Sequence, residues 1–309
     1  MIKKNLALSI VLALIFSGCG TMNENTSKNT DNNKETALNN KNTYNNSINK
    51  SSTDTKKVAD TLKSKEKPFT PLVLSDTSSL STKPIPWSWL YSARDNATLL
   101  SKYKGYGFGD TSKKIIYLTF DEGYENGYTA SILDTLKANN VHAAFFVTKP
   151  FVTSNFKGVP NTTLLKRMKS EGHIIGNHSV HHKSMPKFKN ENAFDAEITG
   201  VENAVNSIPG CKMSKYFRPP EGTFSELSLY YTQKLSYKSI FFTFAYQDYN
   251  ADKQPNSEIA KATILKNTRS GMICLLHAMS KTNATILDSL IKDWKSKGYE
   301  FKTLDDLPN

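Results

Sequence analysis

The sequence predicts an α/β fold, a distorted (β/α) barrel of seven strands, and three observations point there. Beyond Trp87, short apolar runs rich in β-branched and aromatic residues alternate with stretches of helical spacing, the signature of repeated βα units. Seven such runs fall within roughly 220 residues, which favours an incomplete or distorted barrel over an open doubly wound sheet. Acidic, basic and imidazole side chains collect just downstream of the runs.

The elements follow in order. Residues 115–120 (IIYLTF) form the first strand, and Ile132, Leu133 and Leu136 mark the helix face after it. Residues 143–147 are the second strand, followed by the helix face Leu164, Leu165 and Met168. Residues 173–177 are the third, with Phe194, Ile198, Val201 and Val205 spaced for a longer helix. Residues 215–217, 240–245 and 272–276 give the next three strands. Ile286, Leu287, Leu290, Ile291 and Trp294 outline the last helix, before a seventh strand at 299–304.

Three segments are expected: residues 1–18 as a lipoprotein-type signal peptide, 19–85 as a disordered Asn-rich tether and 86–309 as the folded domain. Two lysines, an apolar run of 11 residues from Leu6 to Phe16, and then Ser17-Gly18-Cys19 read as an export signal. The run falls short of the ~20 residues a spanning helix needs. Ser17-Gly18-Cys19 resembles the box at which bacterial lipoproteins are lipidated, so Cys19 is the expected membrane anchor. The chain is then an exported membrane lipoprotein facing the cell wall. Eleven of the thirty residues from Thr21 to Lys50 are Asn, too little apolar surface to offset the entropy of ordering them. Lipidation of Cys19 leaves Cys211 and Cys274 as the remaining thiols. Cys274, inside an apolar strand pattern, reads as a buried small hydrophobe.

The net charge of +12 divides unevenly. Two lysines precede Cys19, the next segment to Ile85 holds ten lysines against seven acidic residues, and the rest carries +7. A basic domain suits an anionic wall polymer or acidic lipid. Without a long Lys/Arg run, no nucleic-acid partner is expected. A monomer is expected.

Polar residues at strand ends gather on one face of an α/β barrel, where such folds place their sites. Here they are Asp121 and Glu122, His178, Arg218, Asp248 and His277. His178 and His182 at i, i+4 would share one side of a helical turn and could chelate a divalent metal. Asp121 or Glu122 could add a carboxylate. Adjacent carboxylates after an apolar strand are costly unless a cation or proton compensates. Arg218, followed by Pro219 and Pro220, could orient a carboxylate through two hydrogen bonds. His277 ends an apolar strand on the same face, a place for an acid.

In order, TFDEG (119–123), HSVHH (178–182), RPPEG (218–222) and LLH (275–277) resemble the polysaccharide deacetylase family, the NodB-homology domain. The resemblance spans about residues 113–307. TFDEGYENGYT, EGHIIGNHSVHH and the stretch from Leu275 to Leu307 look like the delta-lactam-biosynthetic de-N-acetylases of spore-forming Gram-positive bacteria. The resemblance implies a seven-stranded barrel of NodB-homology type. It also implies a divalent metal, zinc, on His178, His182 and Glu122, with Asp121 as general base, His277 as general acid and Arg218 fixing Asp121. The implied reaction removes acetyl from N-acetylmuramic acid in peptidoglycan glycan strands, leading to a muramic lactam as in spore cortex. The alternatives are an N-acetylglucosamine deacetylase on peptidoglycan or chitin-like chains and a non-catalytic wall-binding lipoprotein. Two departures stand out: Glu at 122 where the general family has Asp, and Ala245 and Tyr249 where it commonly has Asp and Trp.

Overall fold

A computed structural model describes residues 67–88 and 92–308. The chain divides into two units, Met1–Ser52 and Thr53–Asn309, and every described residue belongs to the second. The expected signal peptide, Cys19 and the Asn-rich stretch lie outside the described residues.

Strands β1 (Gly105–Tyr106), β2 (Ile115–Glu122), β3 (Ala144–Val147), β4 (Ile174–Asn177), β5 (Tyr216–Phe217), β6 (Lys238–Ile240) and β7 (Met272–His277) pair in the order β7-β2-β3-β4-β5-β6-β1. All of these pairings are parallel, and β8 (Glu300–Phe301) adds to the start of β2. Past β6 the chain crosses to β7: Thr243 N donates to the Ile273 carbonyl and Leu275 N to that of Phe244, both at 2.9 Å. The curled sheet thereby meets its own first strand, the distorted barrel expected. This crossing also explains why the strand beside β5 is Lys238–Ile240, earlier than the expected 240–245, while Phe244 forms a lone bridge with Cys274. β1 carries no apolar run and had no sequence signal.

Every residue of β2 is buried, which is why this parallel strand reads as an unbroken apolar run. Its side chains alternate between two cores. Ile116, Leu118 and Phe120 join the large outer core beneath the helices, whereas Ile115 and Tyr117 join a smaller inner core with Phe146, Ile174, Tyr216, Ile240 and Ile273. Helices α1 (Thr129–Ala138), α2 (Thr162–Ser170), α3 (Glu191–Asn206), α4 (Glu226–Lys234), α5 (Ser257–Lys266) and α6 (Lys281–Ser296) surround the sheet. Their buried faces include the residues picked out by periodicity: Ile132, Leu133 and Leu136 in α1, Phe194, Ile198, Val201 and Val205 in α3, and Ile286 through Trp294 in α6. Both Cys211 and Cys274 are free and buried.

The folded unit begins earlier than residue 86. The backbone of Leu72 donates to and accepts from the amide of Gln233 in α4, at 2.7 and 2.6 Å. Leu74 N donates to Tyr230 Oη at 2.9 Å, Leu80 is buried, and Ile85 and Pro86 pair antiparallel with Phe224 and Thr223. Few apolar residues separate this strap from the tether in composition, but Leu74, Leu80 and Ile85 all reach the core.

Candidate active site

One cross-strand layer supplies most of the site. His277 of β7 is the register partner of Asp121 in β2, Asp121 that of Phe146 in β3, and Phe146 that of Gly176 in β4. Alternation places Asp121 on the same side of its strand as Tyr117 and Thr119, towards the inner core. The ring of Phe146 lies where a side chain on Gly176 would meet it at 2.7 Å, and Arg218 rests 4.2 Å above that ring.

Arg218 Nη1 donates to Asp121 Oδ1 at 2.7 Å and Nη2 to Thr119 Oγ1 at 2.9 Å. Its Nε donates to the Ile240 carbonyl at 3.2 Å and Nη2 also to that of Phe241 at 3.4 Å. The aspartate missing at position 245 is therefore not needed to hold the arginine, because backbone carbonyls from the β6 crossing do so. Burial works against the charge of Asp121. Arg218, then His178 and His277, outweigh it and hold the carboxyl below its ordinary range.

His178 Nδ1 lies 2.8 Å from the carbonyl of Arg218, which can only accept, so Nδ1 carries the proton and Nε2 presents a lone pair. Burial pushes this imidazole down to about 4, leaving it neutral. His182 Nε2 stands 3.1 Å from His178 Nε2, and burial lowers His182 as well. The expected helical turn is absent. Residues 178–182 are a loop in which Ser179 (φ 70°) and His182 (φ 51°) take left-handed conformations, costing about 1–3 kcal/mol each. Ser179 Oγ accepts from His182 N at 2.9 Å and folds the loop back. Val180 N and His181 N donate to the carbonyl and carboxylate of Glu197 in α3, both at 3.0 Å. His181 turns outward onto that carboxylate, so two of the three imidazoles face the site.

Two nitrogen lone pairs 3.1 Å apart require a proton or a cation between them. Ligand atoms around a tetrahedral ion with bonds of about 2.0–2.1 Å sit roughly 3.3 Å apart, so the pair fits a metal. Asp121 Oδ2, 3.4 Å from His178 Nε2, is the neighbouring carboxylate oxygen. Among the described residues, no three His, Cys, Asp or Glu side chains gather tightly enough to hold an ion unaided. Glu122 does not join the histidines. One residue past Asp121, it points to the helix side, where Thr129 Oγ1 donates to Oε1 at 3.2 Å and Oε2 is buried with no hydrogen-bond partner. Burial, then Glu125, raises it well above the ordinary carboxylate range. The expected ligation by Glu122 thus has no support in this geometry.

His277 is gripped by Asp248, whose Oδ2 accepts from His277 N at 2.8 Å and whose Oδ1 faces Nδ1 at 2.7 Å. This leaves Nε2 for the site. Burial disfavours the charged ring, but Asp248 overcomes it and raises His277 above its ordinary value. Tyr249 sets its ring edge-on to His277, centroids 5.7 Å apart. Asp248 is legible as a strand-end residue, but its hold on His277 is not. Asn283, which binds it, stands in a helix with no motif.

An ionised carboxylate, a proton-bearing imidazole and two neutral imidazoles at the downstream ends of parallel strands define a barrel hydrolase. Residues 108–240 match the polysaccharide deacetylase family. The peptidoglycan-N-acetylmuramic acid deacetylase PdaA of Bacillus subtilis is 39% identical over 241 residues, covering 75% of this chain and 89% of that protein. Its solved structure superposes with a TM-score of 0.69 over 74% of this chain and 98% of that one. A family 4 carbohydrate esterase from Bacillus anthracis, 41% identical, gives 0.62 over the same shares of the two chains. This chain belongs to the polysaccharide deacetylase family and is a hydrolase that removes acetyl groups.

Proposed function

We propose that the chain removes the acetyl group of N-acetylmuramic acid in peptidoglycan glycan strands. The reading rests on the pairing of Asp121 with Arg218 beside His277, and on the 39% identity to PdaA, a peptidoglycan-N-acetylmuramic acid deacetylase by name. His178 and His182 would hold a divalent cation, zinc in this reading, which when bound polarises the amide carbonyl and acidifies water.

The chain's own residues divide the proton work. Arg218 occupies Asp121 Oδ1, so Oδ2 is the oxygen left to take a proton from the attacking water. The low carboxyl value keeps Asp121 ionised and ready. His277, whose affinity for its proton Asp248 raises above that of an ordinary imidazole, passes its Nε2 proton to the amide nitrogen as the C–N bond breaks, releasing acetate and an amine. Acid and base differ because their surroundings push the two values apart. Each transfer is worth about 10²–10⁴ in rate.

Incubating the protein with peptidoglycan fragments and locating the new amine by mass spectrometry tests the reading. Loss of acetyl from muramic acid is expected, and no loss with any divalent metal supplied would overturn it. A second reading, N-acetylglucosamine as substrate, is favoured by the Listeria monocytogenes protein named peptidoglycan-N-acetylglucosamine deacetylase PgdA. That protein is 33% identical over 200 residues, covering 63% of this chain and 39% of that protein. An amine on glucosamine in the same digest would establish it. Export, a lipid anchor on Cys19 and placement at the wall complete the proposal, with the basic domain drawn to an anionic polymer.

A further inference from the structure

Asn283 lies in the first turn of α6, fully buried, where the helix needs nothing from its side chain because Ser280 Oγ already caps Asn283 N at 3.2 Å. All of its amide's bonds run to the residues around His277. Nδ2 donates to Asp248 Oδ2 at 2.6 Å and to the His277 carbonyl at 3.0 Å, and Oδ1 accepts from the hydroxyl of Tyr246. Tyr246 is itself stacked on Phe244, the residue bridged to Cys274 in β7. The amide thus ties the carboxylate of Asp248 and the backbone of His277 to one helix terminus.

We propose that Asn283, seated by Tyr246, is a positioning residue for the proton donor. It fixes the rotation of the Asp248 carboxylate and the end of β7 together, so that His277 Nε2 stays aimed at the leaving nitrogen. With Nδ2 removed, Asp248 Oδ2 keeps a single donor, His277 N, and the carboxylate is held by His277 alone, with no tie to the helix. The groups facing His277 are Asp248, Asp121, Arg218, His182 and the ring of Tyr249. The inference rests on His277 acting as the acid in acetyl removal.

The test uses the full chain and compares Asn283→Ala and Tyr246→Phe with wild type for kcat, KM, the pH profile of kcat and thermal midpoint. Asn283→Ala is expected to lower kcat about tenfold to a hundredfold, the scale for groups that orient a reacting residue, with KM unchanged. The basic limb of kcat should move to lower pH, because the imidazolium loses its seated carboxylate. Tyr246→Phe should act in the same direction and less strongly. A wild-type kcat and basic limb in Asn283→Ala, whatever its thermal midpoint, would overturn the inference. If that variant fails to fold, an unmoved basic limb in Tyr246→Phe does the same. His277→Ala separates the two readings. Full turnover without His277 sinks the acid assignment, whereas its loss alongside an unaffected Asn283→Ala sinks only the role of Asn283.

Discussion

Arg218 and Asp121 meet at 2.7 Å with side chains 1% and 6% exposed, one from the end of β5 and the other from the end of β2. A buried pair of this kind is held by its surroundings as much as by its charges, here by Thr119, two backbone carbonyls and the ring of Phe146. Removing one partner strands the other charge out of water. Arg218→Ala is therefore expected to lower the free energy of unfolding by about 3–5 kcal/mol, read by urea denaturation. Arg218→Lys should fold, yet lose most of kcat, since a single ammonium cannot reach the same set of acceptors. A loss below about 1 kcal/mol in the alanine variant would count against this view of the pair.

The opposite shifts of Asp121 and His277 set the pH range of activity. Asp121 lies below the ordinary carboxylate value of about 3.9 and His277 above the ordinary imidazole value of about 6.5, so the two limbs stand further apart than free side chains would place them. Asp248→Asn should draw the basic limb downward while leaving the acidic limb in place. For stability, the contribution of His277 is complete below about pH 6.5 and is lost as pH rises through its folded value. That of Asp121 is present above about pH 3.9 and is lost as pH falls through its depressed value. Rate profiles and chemical denaturation across pH measure both.

Glu122 faces Thr129 rather than the histidines. Glu122→Gln should keep the affinity for zinc or manganese by calorimetry within about threefold, and keep the fold, since it removes a buried carboxylate that lacks a partner on one oxygen. His178→Ala and His182→Ala should each abolish binding. Lost affinity in Glu122→Gln alone would return the glutamate to the ligand set.

Deleting residues up to 86 should cost stability although the barrel itself is left whole. Gln233 is buried, and both ends of its amide would lose their partners on Leu72, a loss of about 1–3 kcal/mol before the burial of Leu80 is counted. A chain begun at residue 87 should melt lower than one begun at residue 67.

The barrel was legible because strands covered on both faces are written as continuous apolar runs, and the site because its polar residues stand where those runs stop. What escaped was direction. Asp121 and Glu122 are neighbours in sequence and sit on opposite sides of the sheet, which their spacing states only once the inward face of β2 is known. The loop from His178 to His182 could not be read as irregular, because left-handed Ser179 and His182 are imposed by bonds to Glu197 and by the Ser179 hydroxyl accepting from His182 N rather than by glycine. Asn283 gave no signal, since a buried amide in a helix resembles any other until its acceptors are seen. The strap was mistaken for tether because its few anchoring residues, such as Leu74, Leu80 and Ile85, are scattered among polar ones.

The strap ends at Trp87, whose ring is stacked 4.4 Å from Phe241 and whose indole N–H donates to the Phe242 carbonyl at 2.8 Å. Phe241 is the residue whose own carbonyl receives Arg218. Along the strap the holds come in order: the Leu72–Gln233 bonds, Leu74 on Tyr230, the short antiparallel pairing of Ile85 and Pro86, and last this wedged indole. The indole thus braces the stretch of backbone that receives the arginine, one peptide away from the carbonyl that does so.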